Sequence, residues 1–166
     1  AFLTDGSSFG NQIEISVNDK DFSENFARCI GHAVGFVPTT KTKKSPKTQG
    51  GIMWRCAIRC TTLRDWLVSE TEGKTRVPDG IMHGSEDTIL GFLAGAMDGD
   101  GLMVKHVRKD DGRTTFKIGF CGARYTVVDQ VTELMKSIGA VTRNFYWVNK
   151  DAKLPTKVQT FSTPTI

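Results

Sequence analysis

Two aspartates separated by one glycine form the run Asp98-Gly99-Asp100-Gly101. Carboxylate oxygens are hard ligands, so such residues could bind a divalent cation of the magnesium or calcium type. Aspartate–glycine pairs also commonly end helices and form turns, and that interpretation needs no ligand. A calcium loop of the EF-hand kind does not fit, because Lys109 stands where the bidentate glutamate of such a loop belongs.

The residues before these aspartates predict a helix that ends at them. Ser85 can cap the start of the helix, and Glu86 suits its first turn. Gly91, Ala94 and Gly95 recur at helical spacing and form a stripe of small residues. A glycine inside a helix costs about 1 kcal/mol relative to alanine. We therefore expect this stripe to pack closely against another helix.

A β-hairpin is predicted directly after the aspartates, because Asp111-Gly112 is a strong hairpin turn signal between two strand-like segments. In the second strand the apolar Phe116 and Ile118 alternate with polar residues such as Lys117. Side chains alternate between the two faces of a strand. One face of the hairpin is therefore expected to be core and the other cationic.

The first part of the chain repeats this order of elements. Asp5 is followed by a glycine, as Asp100 is. Apolar periodicity predicts strands at 13–17, 36–44, 52–60, 141–148 and 157–161, and helices at 22–35, 62–70 and 124–139. The segment 71–83 is predicted to be a linker.

Basic residues are clustered, although the net charge of the 166 residues is only +4. One cluster is Lys41, Lys43, Lys44 and Lys47, and the other is Lys105, Arg108, Lys109, Arg113 and Lys117. Such clusters favour a polyanionic partner. The four cysteines include no CxxC pair, which argues against a zinc site and is typical of free thiols in an intracellular protein. No export signal or bilayer-spanning run of about 20 apolar residues is present, so we expect a cytoplasmic or organellar protein that is not secreted and has no membrane partner.

The segment 93–101, LAGAMDGDG, resembles the signature of the LAGLIDADG homing endonucleases. The opening AFLTDGSS resembles the end of a divergent first copy, in which Asp5 matches Asp100 and Leu3 replaces Asp98. The resemblance implies an α+β fold of two pseudo-symmetric αββαββα half-domains, whose antiparallel sheets form a saddle over DNA. It divides the chain into a first repeat at 1–70 with a truncated first helix, a linker at 71–84, and a second repeat at 85–166 that lacks its final helix.

The resemblance also implies a function and a partner. We expect a monomeric, intron-encoded enzyme that hydrolyses both strands of a long double-stranded DNA target. The alternative is a maturase or a DNA-binding regulator of the same family without cleavage activity. In the family the last acidic residue of each signature helix binds metal, so Asp5 and Asp100 are expected to hold Mg²⁺, with Mn²⁺ able to substitute. The backbone carbonyls of Thr4 and Gly99 would complete the ligand set, and Arg59 would assist the phosphate near the catalytic centre.

The outward faces of the strands are the expected DNA-binding surfaces. Arginine can read guanine edges in the major groove and glutamine can read adenine. The candidates for DNA contact are Gln12, Glu14, Ser16, Lys41, Lys43, Arg55, Arg59, Lys105, Arg108, Arg113, Thr115 and Lys117.

Overall fold

The computed structural model describes residues 1–44, 51–146 and 158–163, with backbone alone for 145, 146 and 158–163. The predicted α+β class is confirmed, because helices accompany two separate antiparallel sheets of four strands each. The chain divides into two compact units, residues 1–69 and 70–166. Lys47, together with residues 147, 148 and 157 of the predicted strands, lies outside the described residues.

The first unit contains four strands and two helices. Its elements are β1 (Gly6–Phe9), β2 (Gln12–Val17), α1 (Lys20–Val34), β3 (Thr40–Lys44), β4 (Ile52–Arg59) and α2 (Thr61–Glu70). The strand order is β1-β2-β4-β3, with every neighbouring pair antiparallel. The core lies between this sheet and α1, where Ile13, Ile15 and Cys56 pack with Phe26 and Ile30.

The second unit repeats the strand order of the first. Its elements are α3 (Asp79–Met82), α4 (Glu86–Asp100), β5 (Gly101–Val107), β6 (Thr114–Gly122), α5 (Tyr125–Ser137), β7 (Val141–Tyr146) and β8 (Val158–Thr163). The sheet runs β5-β6-β8-β7, which is again first, second, fourth and third along the chain. The repetition of elements predicted from the sequence is therefore present in the two sheets.

The sequence predicts most helix boundaries to within two residues. The Ser85 hydroxyl accepts a hydrogen bond from the Thr88 amide and starts α4 as expected. Helix α1 begins two residues earlier than predicted, because the Asp19 carboxylate accepts from the Phe22 amide and caps it. Strand β3 begins four residues later than predicted, since Pro38 has no amide hydrogen to donate to a sheet.

The second hairpin is longer than the first and is only partly covered. Gly6 pairs with Ile15 nine residues later, whereas Gly101 pairs with Phe120 nineteen residues later. Phe120 is buried, but Phe116 and Ile118 are 49% and 37% exposed. The prediction that these two residues belong to the core is therefore wrong. Helix α5 covers the base of β6 near Gly122 and Val128 and leaves the distal half of the hairpin in solvent.

The segment between α2 and α4 packs against the second unit and is hydrogen-bonded to it. The fully buried Val77 donates its amide hydrogen to the Gln130 side chain on α5, at 2.8 Å. The Arg76 guanidinium forms ion pairs with Glu72 and Asp79 on either side of it. The segment predicted to be a linker thus carries a short helix and a buried anchor.

Candidate functional site

An abrupt junction between helix and strand places Asp100. Asp100 is the last residue of α4, and the next residue, Gly101, is the first of β5. The Gly101 amide donates to the Met97 carbonyl. A Cβ at position 101 would lie only 2.1 Å from that carbonyl oxygen, so the turn requires glycine. Asp100 is held half-buried at the carboxyl end of the helix, whereas Asp98 is exposed.

The first unit contains a similar junction at Asp5, in which residues 2–5 form a turn and Asp5 is exposed. The Gly6 amide donates to the Ala1 carbonyl, five residues earlier, at 3.0 Å, and this hydrogen bond closes the turn before β1. A Cβ at Gly6 would lie 2.6 Å from the carbonyl oxygen of Phe2, again the residue four positions earlier. Both glycines then pair with a buried residue on the second strand of their sheet. Asp5 and Asp100 therefore occupy equivalent positions in their own units.

The donor atoms at each junction suit a hard divalent cation. Each unit offers one aspartate carboxylate and the carbonyl that precedes it, at Thr4 and at Gly99, and all of these ligands are oxygen. One unit alone provides fewer than the roughly six oxygens that Mg²⁺ requires. Consistently, no group of three or more His, Cys, Asp or Glu side chains among the described residues could hold a metal ion. Water, phosphate oxygens or a second carboxylate would have to complete the shell.

The candidate residues of the first unit share one face of its sheet. Gln12, Glu14 and Ser16 alternate along β2 with the fully buried Ile13 and Ile15, so they point away from the core. The cross-strand register places the remaining candidates on the same face: Lys41, Lys43, Arg55 and Arg59. We call this surface the first outer face.

A groove of about 320 Å³ runs over the first outer face. It is lined by Gln12, Thr39, Lys41, Arg55, Ala57 and Arg59. Four of these residues are candidates from the sequence, whereas Thr39 and Ala57 are not. Thr39 lies just before β3, where no alternation of apolar and polar residues indicates that it is on this face. Ala57 is apolar, and only its pairing with Glu14 places it on this face.

A hydrogen-bonded network occupies the centre of the first outer face. Glu14 Oε2 accepts from Arg55 Nε at 2.9 Å, from Arg55 Nη2, and from Gln12 Nε2 at 3.1 Å. The Arg55 side chain is 39% exposed and that of Glu14 is 20% exposed. The carboxylate therefore offsets one of the four basic charges of this face.

The register puts Arg59 at the opposite end of the sheet from Asp5. Gly6 pairs with Ile15, and Ile15 pairs with Cys56. Arg59 lies three residues from Cys56 toward the β1–β2 turn, about 10 Å along the strand. Arg55 lies one residue from Cys56 in the other direction, toward Asp5. The structure therefore does not bring Arg59 to the carboxylate as expected, and Arg55 is the basic residue of β4 nearest to it.

Four of the five candidates in the second unit share one face of the β5–β6 hairpin. In the strand register, Lys117 pairs with Val104, and Thr115 pairs with His106. Beyond the last strand pair, the Arg108 amide donates to the Arg113 carbonyl, which continues the same alternation of faces. We call this surface the second outer face. Lys105 is the exception, because it pairs with Phe116 on the other face. His106 lies on the second outer face but is absent from the sequence candidates.

Acidic side chains at the hairpin turn neutralise part of this charge. Arg108 donates to both carboxylate oxygens of Asp110 and also lies 3.6 Å from Asp111. The hydrogen bonds from the Arg108 guanidinium hold the pKa of the Asp110 carboxyl below its ordinary value. Asp110 is therefore ionised at neutral pH, and Arg108 brings little net charge to the surface.

The two units and their element order define the fold of the homing endonucleases. The structure is similar to mesophilic variants of the homing endonuclease I-DmoI, with a TM-score of 0.61 and 8% sequence identity. The match covers 98% of this chain and 83% of that chain. I-DmoI in complex with DNA and Mn matches over 96% and 80%, with a TM-score of 0.59 and 7% identity. The homing endonuclease I-WcaI bound to its DNA recognition sequence matches over 98% and 71%, with a TM-score of 0.59 and 14% identity.

No model of a protein family matches the chain. At these identities the similarity to I-DmoI and I-WcaI establishes the fold alone. None of the helices in the described ranges has the length and apolar character to cross a bilayer.

Two residues of the small-residue stripe on α4, Gly91 and Ala94, are exposed. A Cβ added at Gly91 would meet no atom within 4 Å.

Two glycines of the second unit should therefore respond in opposite ways to alanine. Gly101→Ala forces its Cβ against the Met97 backbone, and we expect a loss of about 1–3 kcal/mol in the free energy of unfolding. Gly91→Ala fills open space and should stabilise α4 by up to about 1 kcal/mol. Chemical denaturation of both variants measures the difference. Equal stabilities would show that the junction at Asp100 is not sterically constrained.

Proposed function

We propose that this chain is a LAGLIDADG homing endonuclease that cuts both strands of a long DNA duplex with a divalent metal, Mg²⁺ or Mn²⁺. One observation carries the proposal: in each unit an aspartate ends a turn or a helix, and the chain continues into the first strand through a glycine that tolerates no side chain. This arrangement fixes a carboxylate at the start of the first strand of each sheet. The solved structures of similar fold include complexes with target DNA in the presence of Mn or Mg.

In the proposed complex the first and second outer faces lie on the duplex as the two sides of a saddle. The first repeat is 1–70, the segment 71–84 connects it, and the second repeat is 85–166, so that one chain acts as a monomer with internal pseudo-two-fold symmetry. Lysine and arginine side chains of both faces bind phosphates, and polar side chains read base edges. Asp5 and Asp100 then hold metal at a shared centre.

The residues at that centre have distinct roles in the proposed reaction. The chemistry that a divalent cation would supply there is stabilisation of phosphate charge and activation of a water molecule as the nucleophile. The carboxylates of Asp5 and Asp100 and the carbonyls of Thr4 and Gly99 provide the oxygen ligands. Two carboxylates at one centre repel each other, and this repulsion favours cation binding. Of the two basic residues of β4, Arg55 lies nearer than Arg59 to Asp5.

Selection from a pool of long random duplexes tests the proposal. We expect the protein to retain a specific sequence class in the presence of EDTA, and to cut both strands of it when Mg²⁺ is added. Mn²⁺ should replace Mg²⁺. Failure to retain any duplex at low ionic strength would refute the proposal. Binding without cleavage in either metal would instead support a maturase or DNA-binding regulator.

A further inference from the structure

Glu14 is an unusual residue for a surface that binds phosphate, because a carboxylate repels the DNA backbone. It nevertheless lies at the centre of the first outer face, where its Oε2 atom accepts three hydrogen bonds, one from Gln12 and two from Arg55. The side chain is mostly buried beneath its partners, with 20% exposed. Its position therefore indicates a role that acts through Arg55 and Gln12.

The geometry of the arginine shows what remains available for a ligand. Glu14 occupies the edge of the guanidinium formed by Nε and Nη2. A guanidinium presents five N–H donors in a planar fork, and its Nη1–Nη2 edge offers two further parallel donors. The side chain of Arg55 is 39% exposed and lines the open groove. A second bidentate acceptor can therefore bind the Nη1–Nη2 edge while Glu14 remains bound.

Guanine is the base whose major-groove edge matches this pair of donors. Its O6 and N7 atoms are both acceptors and accept a bidentate arginine. An arginine side chain loses much rotamer entropy when it is fixed, and a residue that fixes it beforehand reduces this cost on binding. The Glu14 carboxylate supplies that restraint, and the Gln12 amide in turn orients the carboxylate.

We propose that Glu14 is a specificity-determining positioning residue, which holds Arg55 so that its Nη1–Nη2 edge reads one guanine in the duplex target. This inference rests on the proposed function and adds the identity of one base contact. It assigns direct readout to Arg55 and an indirect role to Glu14. It also explains why a negative charge lies at the centre of a basic surface.

The test compares base preference in selections from random duplexes by the wild type and by Arg55→Ala, Glu14→Ala and Glu14→Gln. Arg55→Ala should lose preference for guanine at one position by roughly 5- to 150-fold, the discrimination of one bidentate contact. Glu14→Ala should relax the same position. Glu14→Gln keeps the side-chain volume, and should relax that position in the same direction, which guards against a folding defect in the alanine variant.

Two further variants sharpen the comparison. The double variant Glu14→Ala with Arg55→Ala should lose no more preference at that position than Arg55→Ala alone, because both changes remove one contact. Arg59→Ala removes a cation of the same face that lies outside the network, so it should weaken binding to all sequences alike and leave the preference for guanine at that position unchanged.

Two results would overturn the inference while leaving the proposed function intact. In one, Glu14→Ala relaxes the preference for a cytosine at a different position of the target, which would mean that Glu14 itself accepts a hydrogen bond from the cytosine amino group. In the other, Glu14→Ala binds all sequences more tightly with unchanged preference, which would make Glu14 a simple counter-charge. If the wild type selects no sequence at all, the proposed function fails and the inference fails with it.

Discussion

Asp100→Asn is expected to abolish cleavage while DNA binding remains largely intact. The substitution removes one negative charge from the proposed metal centre and preserves the size of the side chain. Metal contributes several kcal/mol to such reactions, so the cleavage rate should fall by a factor on the order of 10³ or more. Affinity depends instead on basic residues of the outer faces, which the change leaves in place. Single-turnover cleavage and filter binding on the same duplex measure the two quantities.

Asp5→Asn should have the same effect, although its sequence motif is much less complete. The expectation follows from the matched junctions, in which Gly6 and Gly101 each pack against the residue four positions earlier. Asp98→Asn is the control, because residues two apart on a helix face different directions, so Asp98 does not share the position of Asp100 at the end of α4. Normal cleavage by Asp5→Asn with an inactive Asp100→Asn would disprove the shared centre and favour a homodimer of chains that each supply Asp100.

Affinity for duplex DNA should fall steeply with ionic strength. Phosphate contacts release condensed counterions, and about six of them reduce the binding constant by about 10³-fold between 50 and 200 mM salt. The exposed cations of the two outer faces provide contacts on this scale, including Lys41, Lys43, Arg59, Arg113 and Lys117. Fluorescence anisotropy over this salt range measures the slope. A flat response would rule out sheets lying on the phosphate backbone.

The two lysines of the second hairpin provide a matched control for that measurement. Lys117 lies on the second outer face, whereas Lys105 lies on the opposite face beside Phe116. Lys117→Ala should reduce the slope of log affinity against log salt by about one, and Lys105→Ala should leave it unchanged. Equal effects of the two substitutions would place the DNA on the edge or tip of the hairpin.

Local signals account for the parts of the structure that the sequence predicts. The cap at Ser85 starts α4, and alternation along β2 separates Gln12 and Glu14 from the core. Each of these features depends on neighbouring residues in the chain. The same is true of the junction at Asp100, which the flanking apolar residues and the glycine identify.

The features that the sequence did not predict depend on how the strands pair. Alternation alone cannot decide whether Lys105 shares a face with Lys117, since a shift of one residue in the hairpin register reverses the answer. The distance of Arg59 from Asp5 follows from the antiparallel pairing of β2 with β4. The exposure of Phe116 depends on how far α5 reaches along β6. None of these relations is encoded within a single segment.

The unequal hairpins have a consequence for the symmetry of the target. Strand β1 begins at Gly6 and has four residues, whereas β5 begins at Gly101 and has seven. The turn after β5 is also longer than the turn after β1. The three extra residues add about 10 Å of strand, which is about three base-pair steps at 3.4 Å each. In the proposed complex one half of the target is therefore contacted over a longer stretch than the other. The recognised sequence should not be a palindrome, and one chain should bind it in a single orientation.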